Sequence, residues 1–245
     1  MNRFALPDLP LWMWLAVAAI PVVCLCVMAL VWVWGLRASA RWETRRQSVI
    51  AQFLAPRGMR LSAEDADRER VEQALAELGG AGTFDVYWVA SGDSSTLFEY
   101  RVGPGDQHGY GYLERSPFAD LVGSVKISPR ARWLGVDSSP VFHLGREAGE
   151  GWTNPEFHKR YRVVAQDAAQ GAQVVTSRLQ FLLLELPDVD RATVDRELVE
   201  MAVNASHWTV LGRKGDWGRR KIEDGFPAIE DHLRLAGRVR EAMGQ

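Results

Sequence analysis

A long apolar stretch without a charged residue, from Leu9 to Leu36, constrains this chain more than any other feature. Leu, Val, Ala, Met and Trp fill almost every position in it. An α-helix rises by about 1.5 Å per residue, so Trp12 and Trp34 would lie roughly 33 Å apart, close to the thickness of a hydrocarbon core. Tryptophan also favours membrane interfaces. We therefore predict a transmembrane helix over residues 11–36, preceded by a short tail, residues 1–10.

A cleaved signal peptide is the alternative interpretation of this stretch, because Ala38-Ser39-Ala40 resembles a small-residue cleavage site. The stretch is longer than the apolar core of a signal peptide, which has about 7–15 residues, and few positive charges precede it. Arg37 also separates the stretch from the triplet. We favour a retained anchor.

The flanking charges predict the orientation of the anchor. Several arginines follow the stretch and a single one precedes it, namely Arg37, Arg41, Arg45 and Arg46 against Arg3. Positively charged flanks stay on the cytoplasmic side of a membrane. We predict a single-pass protein of a bacterial cell membrane, with its N-terminus outside and its C-terminal domain in the cytoplasm.

Residues 37–81 are predicted to form a juxtamembrane helical arm. No glycine or proline interrupts residues 36–55, so the first helix should continue until Pro56 and Gly58 stop it. Ser62, with Asp65 three residues later, is typical of the start of a second helix, which Gly79-Gly80 would end. Whether this arm packs on its own domain stays open.

After Gly82 the sequence predicts a soluble α+β domain, residues 82–245, with an antiparallel β meander and packed helices. Two aromatic and β-branched runs, residues 83–90 and 95–102, flank a Ser-Gly-Asp-Ser turn and predict a hairpin. The further predicted strands are residues 110–114, 121–127, 132–136, 140–144 and 158–166. In the C-terminal part we predict a helix start at Asp167 with Gln170, a helix over 177–186, a hairpin of residues 198–203 and 207–213, and a last helix from Pro227.

The charge balance argues against a nucleic-acid binder. Of 29 basic and 31 acidic side chains, five and two lie in residues 1–46, which leaves 24 basic and 29 acidic side chains beyond them. A nucleic-acid-binding domain normally has a basic excess. We predict no nucleic-acid partner.

The sequence also indicates no catalytic, cofactor or metal site. Both cysteines, Cys24 and Cys26, lie in the apolar stretch, and the five histidines have no metal-ligand spacing. Residues 137–143 contain Asp, Ser and His, but no nucleophile-elbow motif accompanies them, so a turn before a strand explains them better. We predict that the chain carries no cofactor.

A basic, aromatic segment precedes the last helix and is the one candidate site. It combines five cations with a tryptophan, and only Asp216 opposes them. Cations near an anionic leaflet contribute about 1 kcal/mol each, and tryptophan settles at the interface. A solvated connection is the alternative interpretation. We predict contact with anionic lipid through Arg213, Lys214, Trp217, Arg219, Arg220 and Lys221.

Residues 154–163, which read Asn-Pro-Glu-Phe-His-Lys-Arg-Tyr-Arg-Val, are followed by Asp167 and by the apolar run 179–184. This pattern, with the strand pair and terminal helix after it, resembles the closing part of some uncharacterised bacterial membrane proteins. The resemblance covers roughly residues 140–245. It implies a membrane-tethered cytoplasmic α+β domain of unknown function.

We favour a non-enzymatic binding or scaffold protein, and the alternative is a membrane-tethered hydrolase or transferase whose site the sequence does not reveal. The predicted partners are the lipid bilayer and a membrane protein that contacts the transmembrane or juxtamembrane helix. A deep pocket with converging carboxylates would favour the enzyme, whereas a filled core with shallow grooves would favour binding.

Overall fold

The structure is a computed structural model of the chain, and it describes residues 11–62, 64–77, 84–102, 107–130, 132–133, 136–137, 151–186, 198–214 and 226–244. The fold is α+β, as the sequence predicts, with a long N-terminal helix, an antiparallel sheet and further helices. The chain divides into two compact units, Met1–Val49 and Ile50–Gln245.

Helix α1, Leu11–Leu54, is 44 residues long. By length and composition, it is the one helix in the described part of the chain that could cross a membrane. Its mean hydropathy is 2.0, and none of its most apolar stretch of 18 residues is buried. Its large apolar side chains from Ile20 to Leu36 are exposed, with fractions between 41% for Val33 and 74% for Trp34. The predicted long apolar helix is therefore present.

The predicted end of the first helix is also confirmed. A 3₁₀ turn, Ala55–Arg57, follows α1, and Gly58 closes it in the left-handed region at φ 71°. Left-handed backbone is accessible to glycine at little cost, which explains the stop. Ile50 and Leu54 are buried in the second unit.

The short strand β1, Arg60–Leu61, leads to helix α2, Asp65–Glu77. The oxygen of Ser62 accepts a hydrogen bond from the amide of Glu64 at 3.2 Å, close to the predicted helix start. The predicted end at Gly79-Gly80 lies outside the described residues.

Nine more strands and four more helices follow in the described part of the chain. The strands are β2 Phe84–Ser91, β3 Ser95–Val102, β4 Gln107–Arg115, β5 Ser124–Pro129, β6 Arg132–Trp133, β7 Val136–Asp137, β8 Tyr161–Ala165, β9 Leu198–Asn204 and β10 His207–Lys214. The helices are α3 Pro155–Arg160, α4 Ala168–Val174, α5 Ser177–Glu185 and α6 Phe226–Ala242.

Eight of the ten described strands form one sheet in the order β1-β2-β3-β4-β10-β9-β5-β8, and each neighbouring pair is antiparallel. The predicted meander is present in β2, β3 and β4. The C-terminal hairpin then inserts beside β4, with Trp208 opposite Glu114. This pairing joins strands about a hundred residues apart in sequence, which local periodicity does not encode.

The predicted strand over residues 158–166 is partly wrong. Residues 158–160 end helix α3 instead, because Asn154 accepts a hydrogen bond from the Glu156 amide and Pro155 suits the first helical turn. The strand begins at Tyr161.

The predicted strand over residues 132–136 is two short strands, β6 and β7, which pair with each other. The predicted strand over residues 140–144 lies outside the described residues. The predicted strand over 121–127 begins three residues later, at Ser124. Leu121 instead precedes the strand as part of the core.

The predicted helix start at Asp167 is confirmed, since its carboxylate accepts a hydrogen bond from the Ala169 amide at 2.7 Å. Gln170 does not complete a capping box. Its side-chain oxygen accepts a hydrogen bond from the amide of Val122, 48 residues away, at 3.0 Å. Helix α5 begins at Ser177, as predicted, and Thr176 caps it.

Successive strand residues alternate between two hydrophobic cores on opposite faces of the sheet. The smaller core holds α2 against the sheet through Val71, Ala74, Leu75, Val89, Phe98, Leu113 and Leu211. The larger core holds the end of α1, α5 and α6 against the other face, and includes Leu54, Leu97, Tyr112, Leu183, Trp208, Val210 and Val239.

Candidate functional site

A groove of about 530 Å³ lies in the second unit, between the 3₁₀ turn, the β2–β3 turn and helix α6. Its polar lining includes three guanidinium groups, two carboxylates and a tyrosine hydroxyl. We call it the arginine groove, after its residues Arg57, Asp93, Tyr112, Glu230, Arg234 and Arg240.

Arg57 is held on one wall of the groove by a stack of flat groups. The ring centroids of Phe53 and Phe226 are 4.2 Å apart and nearly parallel, and the Arg57 guanidinium carbon lies 3.9 Å from the Phe53 centroid. Arg57 Nη1 also donates a hydrogen bond to the Phe53 carbonyl at 2.6 Å. The second terminal nitrogen, Nη2, lies 3.6 Å from Glu230 Oε1.

Glu230 is shared between two arginines. Its Oε1 lies 3.6 Å from Arg57 Nη2 and 3.7 Å from Arg234 Nη2. Both distances exceed the roughly 3.2 Å limit of a good N–H···O hydrogen bond, so these contacts are loose ion pairs. Arg234 makes a closer contact with Asp231, at 3.1 Å, one turn back on α6.

Arg240 is fixed by a buried carboxylate. Glu114, only 8% exposed, accepts from Arg240 Nε at 2.9 Å and lies 2.8 Å from Arg240 Nη2. Ser94 and Tyr112 also donate their hydroxyls to Glu114, at 3.2 and 3.3 Å. Arg240 Nη2 in addition donates to the Tyr112 hydroxyl oxygen. The carboxylate therefore holds four donor contacts, about as many as its two oxygens accept.

Burial and these contacts change the pKa of Tyr112 and of Arg240. Burial raises the pKa of Tyr112, and the charge of Glu114 acts in the same direction, while the Ser95 hydrogen bond and Arg240 oppose it. Burial alone would lower the pKa of Arg240, but Tyr112 and Glu114 together raise it. At neutral pH the groove therefore holds a neutral phenol and a charged guanidinium.

A second groove, of about 490 Å³, lies across the β2–β3 turn, where Arg70, Arg115, Asp93 and Glu114 line it. Its two cations and two anions balance. Arg70 is also paired with Asp67 at 3.3 Å. In the arginine groove each of the three guanidinium groups is likewise paired with a carboxylate, Arg57 with Glu230, Arg234 with Asp231 and Arg240 with Glu114.

His232 has the largest described change in pKa, but it lines neither groove. It is 1% exposed on α6, where burial lowers its pKa to about 4 and a hydrogen bond with the backbone of Val210 partly opposes this. Its Nε2 has no hydrogen-bond partner among the described residues. His232 is therefore a core residue packed above Gly212.

The predicted lipid-contact residues are only partly described. Arg213 and Lys214 end strand β10, opposite Gly109 and His108, but their side chains are not described. The other four predicted residues, Trp217, Arg219, Arg220 and Lys221, lie outside the described residues. The predicted lipid contact stays a prediction.

The arginine groove itself was not predicted from the sequence. One local signal points to it, because Arg234, Gly237 and Arg240 recur at intervals of three on one face of α6. Arg57 and Glu114 reach the groove only through tertiary folding. Within the described ranges, no three His, Cys, Asp or Glu side chains converge as metal ligands.

No family model, curated protein or solved structure matches this chain. The resemblance of residues 140–245 to uncharacterised bacterial membrane proteins stays a prediction.

Proposed function

We propose that this chain is a single-pass membrane protein whose C-terminal domain binds or scaffolds a partner in the cytoplasm. The observation that carries the proposal is the exposed apolar surface of α1, where Trp32 and Trp34 are 69% and 74% exposed. An exposed apolar surface of this length is costly in water but not in a bilayer. The Arg cluster after the stretch supports the cytoplasmic orientation.

Two features of the second unit support binding rather than catalysis. Its sheet is packed on both faces by hydrophobic cores, and its described grooves are open to solvent. The strongly perturbed His232 is buried away from both grooves, so its pKa follows from burial and not from a reactive cleft.

Membrane anchoring is tested by extracting isolated membranes with alkaline carbonate, which releases peripheral proteins. The full chain should remain in the pellet and dissolve in mild detergent. Release into the supernatant would contradict the anchor. Affinity purification from the mild-detergent extract should then recover a partner in stoichiometric amount, and repeated recovery of the chain alone would contradict the scaffold role.

The segment 213–221 is proposed to hold the domain against anionic headgroups. Flotation of a fragment that begins at Gln47, just before the second unit, measures this contact without the anchor. The fragment should float with anionic vesicles and not with neutral ones. Replacing Arg219, Arg220 and Lys221 by Glu should abolish flotation, since each lost cation costs about 1 kcal/mol near the surface. Equal recovery from both vesicle types would reject the contact.

A further inference from the structure

We propose that α1 binds one anionic phospholipid at the C-terminal end of its apolar stretch, between Trp34 and the arginines that follow it. This inference rests on the proposed membrane anchor, because it names the lipid that the anchor selects. Three features of α1 carry it: arginines without a carboxylate partner, their alignment with Trp34, and a shallow depression beside them. All three lie in the first unit, Met1–Val49.

The first feature is a row of arginines on one side of α1. Arg37, Arg41 and Arg45 follow one another at intervals of four residues, and all three are exposed. Successive residues of a helix are turned by about 100°, so each of these arginines is turned by only about 40° from the one before it. We call Arg37, Arg41 and Arg45 the basic stripe.

No carboxylate neutralises the basic stripe within the described part of the chain. Glu43 is the one acidic residue of the sequence from 37 to 54, and it lies about 160° around the helix from Arg41 and from Arg45. It pairs instead with Arg46, at 3.8 Å. The described residues give the three stripe arginines no ion pair, so their charges are available to an anionic ligand.

The second feature is the alignment of the basic stripe with Trp34. This residue precedes Arg37 by three positions and Arg41 by seven, and both intervals return to the same side of a helix. Trp34 is 74% exposed. An indole at a membrane interface keeps its ring in the apolar region and its N–H near the headgroups. A lipid on this side of α1 therefore meets the indole first and the guanidinium groups directly after it.

The spacing of the basic stripe matches the depth of a headgroup layer. At a helical rise of about 1.5 Å per residue, Arg41 lies roughly 6 Å beyond Arg37, and Arg45 roughly 12 Å beyond it. The headgroup layer of one leaflet is about 5–8 Å thick. Arg37 and Arg41 therefore reach a phosphate within the layer, and a guanidinium binds phosphate through two parallel hydrogen bonds. Arg45 adds positive charge at the outer edge of the layer.

The third feature is a shallow depression of about 370 Å³ on the surface of α1. Its lining joins apolar side chains to one guanidinium, namely Leu30, Val31, Val33, Trp34 and Arg37. An acyl chain suits the apolar part, and the phosphate at the end of that chain then lies beside Arg37. This lining favours a phospholipid over a free phosphate ion, because the ion gains nothing from apolar side chains.

The charge of the basic stripe favours an anionic lipid over a zwitterionic one. The choline of phosphatidylcholine is a cation that the three guanidinium groups repel. Phosphatidylglycerol presents the same phosphate beside neutral hydroxyls, so its net negative charge is attracted by each arginine near the membrane surface.

The test uses the full chain in a neutral mild detergent and counts bound lipids by native mass spectrometry. The two probes are phosphatidylglycerol and phosphatidylcholine with identical acyl chains, each added over a range of concentrations. One phosphatidylglycerol molecule should bind at least about tenfold more tightly than phosphatidylcholine, as expected when two or more arginines attract its charge.

Arg45 and Arg46 provide a matched pair of charge variants, because they are neighbours in the sequence and lie at nearly the same depth. Arg45→Gln removes a stripe arginine and should weaken phosphatidylglycerol binding about fivefold. Arg46→Gln removes an arginine that is paired with Glu43 and should leave binding within about twofold of the original chain. The double variant Arg37→Gln with Arg41→Gln should weaken binding about twenty-five-fold.

Trp34 and Trp32 provide a second matched pair. They are 74% and 69% exposed, and their separation of two positions places them on opposite sides of α1. Trp34→Leu should weaken phosphatidylglycerol binding about threefold, as expected for one lost hydrogen bond from the indole. Trp32→Leu should leave binding unchanged. Leucine keeps the helix apolar, so both variants should stay in the carbonate-resistant pellet.

Equal binding of the two lipids by the original chain would overturn the inference. Equal losses from Arg45→Gln and Arg46→Gln would also overturn it, because they would show a response to net charge alone. Loss of phosphatidylglycerol binding only when Arg219, Arg220 and Lys221 become Glu would assign the lipid to the segment 213–221 instead.

Carbonate extraction tests the membrane anchor separately from the lipid site. Retention of the chain in the pellet, together with equal binding of phosphatidylglycerol and phosphatidylcholine, would reject the lipid site and leave the anchor standing. Release of the chain into the supernatant would reject the anchor itself.

Discussion

Helices α1 and α6 are both rich in apolar residues, but they place them differently. From Val22 to Leu36, α1 is apolar all round and its described side chains are exposed. In α6 the buried residues recur every three or four positions, and charged residues fill the other face. The buried residues of α6 are Ala228, Ile229, His232, Leu235, Ala236 and Val239.

The comparison shows which property of a sequence selects the environment of a helix. A stripe with a period of 3.6 residues buries one face on a protein core and leaves the other in water. A helix without that period has no polar face to offer water, so a bilayer is the environment that suits it. The two helices differ in total hydrophobicity as well as in its arrangement around the axis.

The largest expected effect comes from placing charge on α1. In the double variant Val23→Arg and Val27→Arg, each arginine should cost about 3 kcal/mol near the centre of a membrane helix, or about 6 kcal/mol together. The variant should leave the carbonate-resistant pellet. The matched control, Val23→Leu with Val27→Leu, should stay in it. Retention of the arginine variant in the pellet would contradict a bilayer environment for α1.

Truncating the core should affect the second unit strongly. Trp208 is fully buried, with its ring centroid 5.4 Å from that of Tyr112. Trp208→Ala should lower the free energy of unfolding by about 3–5 kcal/mol, because it removes buried apolar surface and leaves a cavity. Phe181, 62% exposed on α5, is the control, and Phe181→Ala should change the free energy by less than about 0.5 kcal/mol. Denaturant titration of the detergent-solubilised chain measures both.

His232 should make the second unit sensitive to acid. Its folded-state pKa of about 4 lies below the usual value of 6.5. Above pH 6.5 His232 is therefore neutral in both the folded and the unfolded state, and its protonation does not reduce the free energy of unfolding. Below pH 6.5 the unfolded state takes up a proton that the folded state does not, so stability falls until about pH 4. At about 1.4 kcal/mol per pKa unit, the loss is on the order of 3 kcal/mol.

The control for this pH dependence is His232→Gln, which cannot titrate. It should be less stable at pH 7, but its free energy of unfolding should fall less between pH 6.5 and pH 4 than that of the original chain. Identical pH slopes for the two proteins would contradict the assignment of the acid sensitivity to His232.

The smallest expected effects come from the same substitution, glycine to alanine, at two positions. An added Cβ at Gly111 would lie 2.1 Å from the buried Phe98 ring, so Gly111→Ala should destabilise by about 1–3 kcal/mol. At Gly237 the added carbon meets nothing within 4 Å, and Gly237→Ala should stabilise by about 0.5–1 kcal/mol through helix propensity. A lower melting temperature for Gly111→Ala and a higher one for Gly237→Ala, each against the original chain, would confirm the contrast.

Local signals predicted much of the fold. Periodicity and breakers predicted α1, its end at Gly58, the β2–β3 hairpin, the Asp167 cap and the C-terminal hairpin. The failure at residues 158–160 arose because Asn154 and Pro155 start a helix that the β-like pattern obscured. The insertion of β10 beside β4, and with it the arginine groove, depends on contacts far apart in sequence, which local patterns do not contain.

The central claim, a lipid-embedded α1 with a cytoplasmic domain, is tested most directly by thiol labelling. The chain has two cysteines, Cys24 and Cys26, both in the apolar stretch, and Val122→Cys adds a third at a site that is 61% exposed. A charged maleimide that does not cross membranes should leave Cys24 and Cys26 unmodified in intact cells and in inverted vesicles. It should modify Val122→Cys in inverted vesicles only. Modification of Cys24 or Cys26 in intact membranes, or of Val122→Cys in intact cells, would contradict the account.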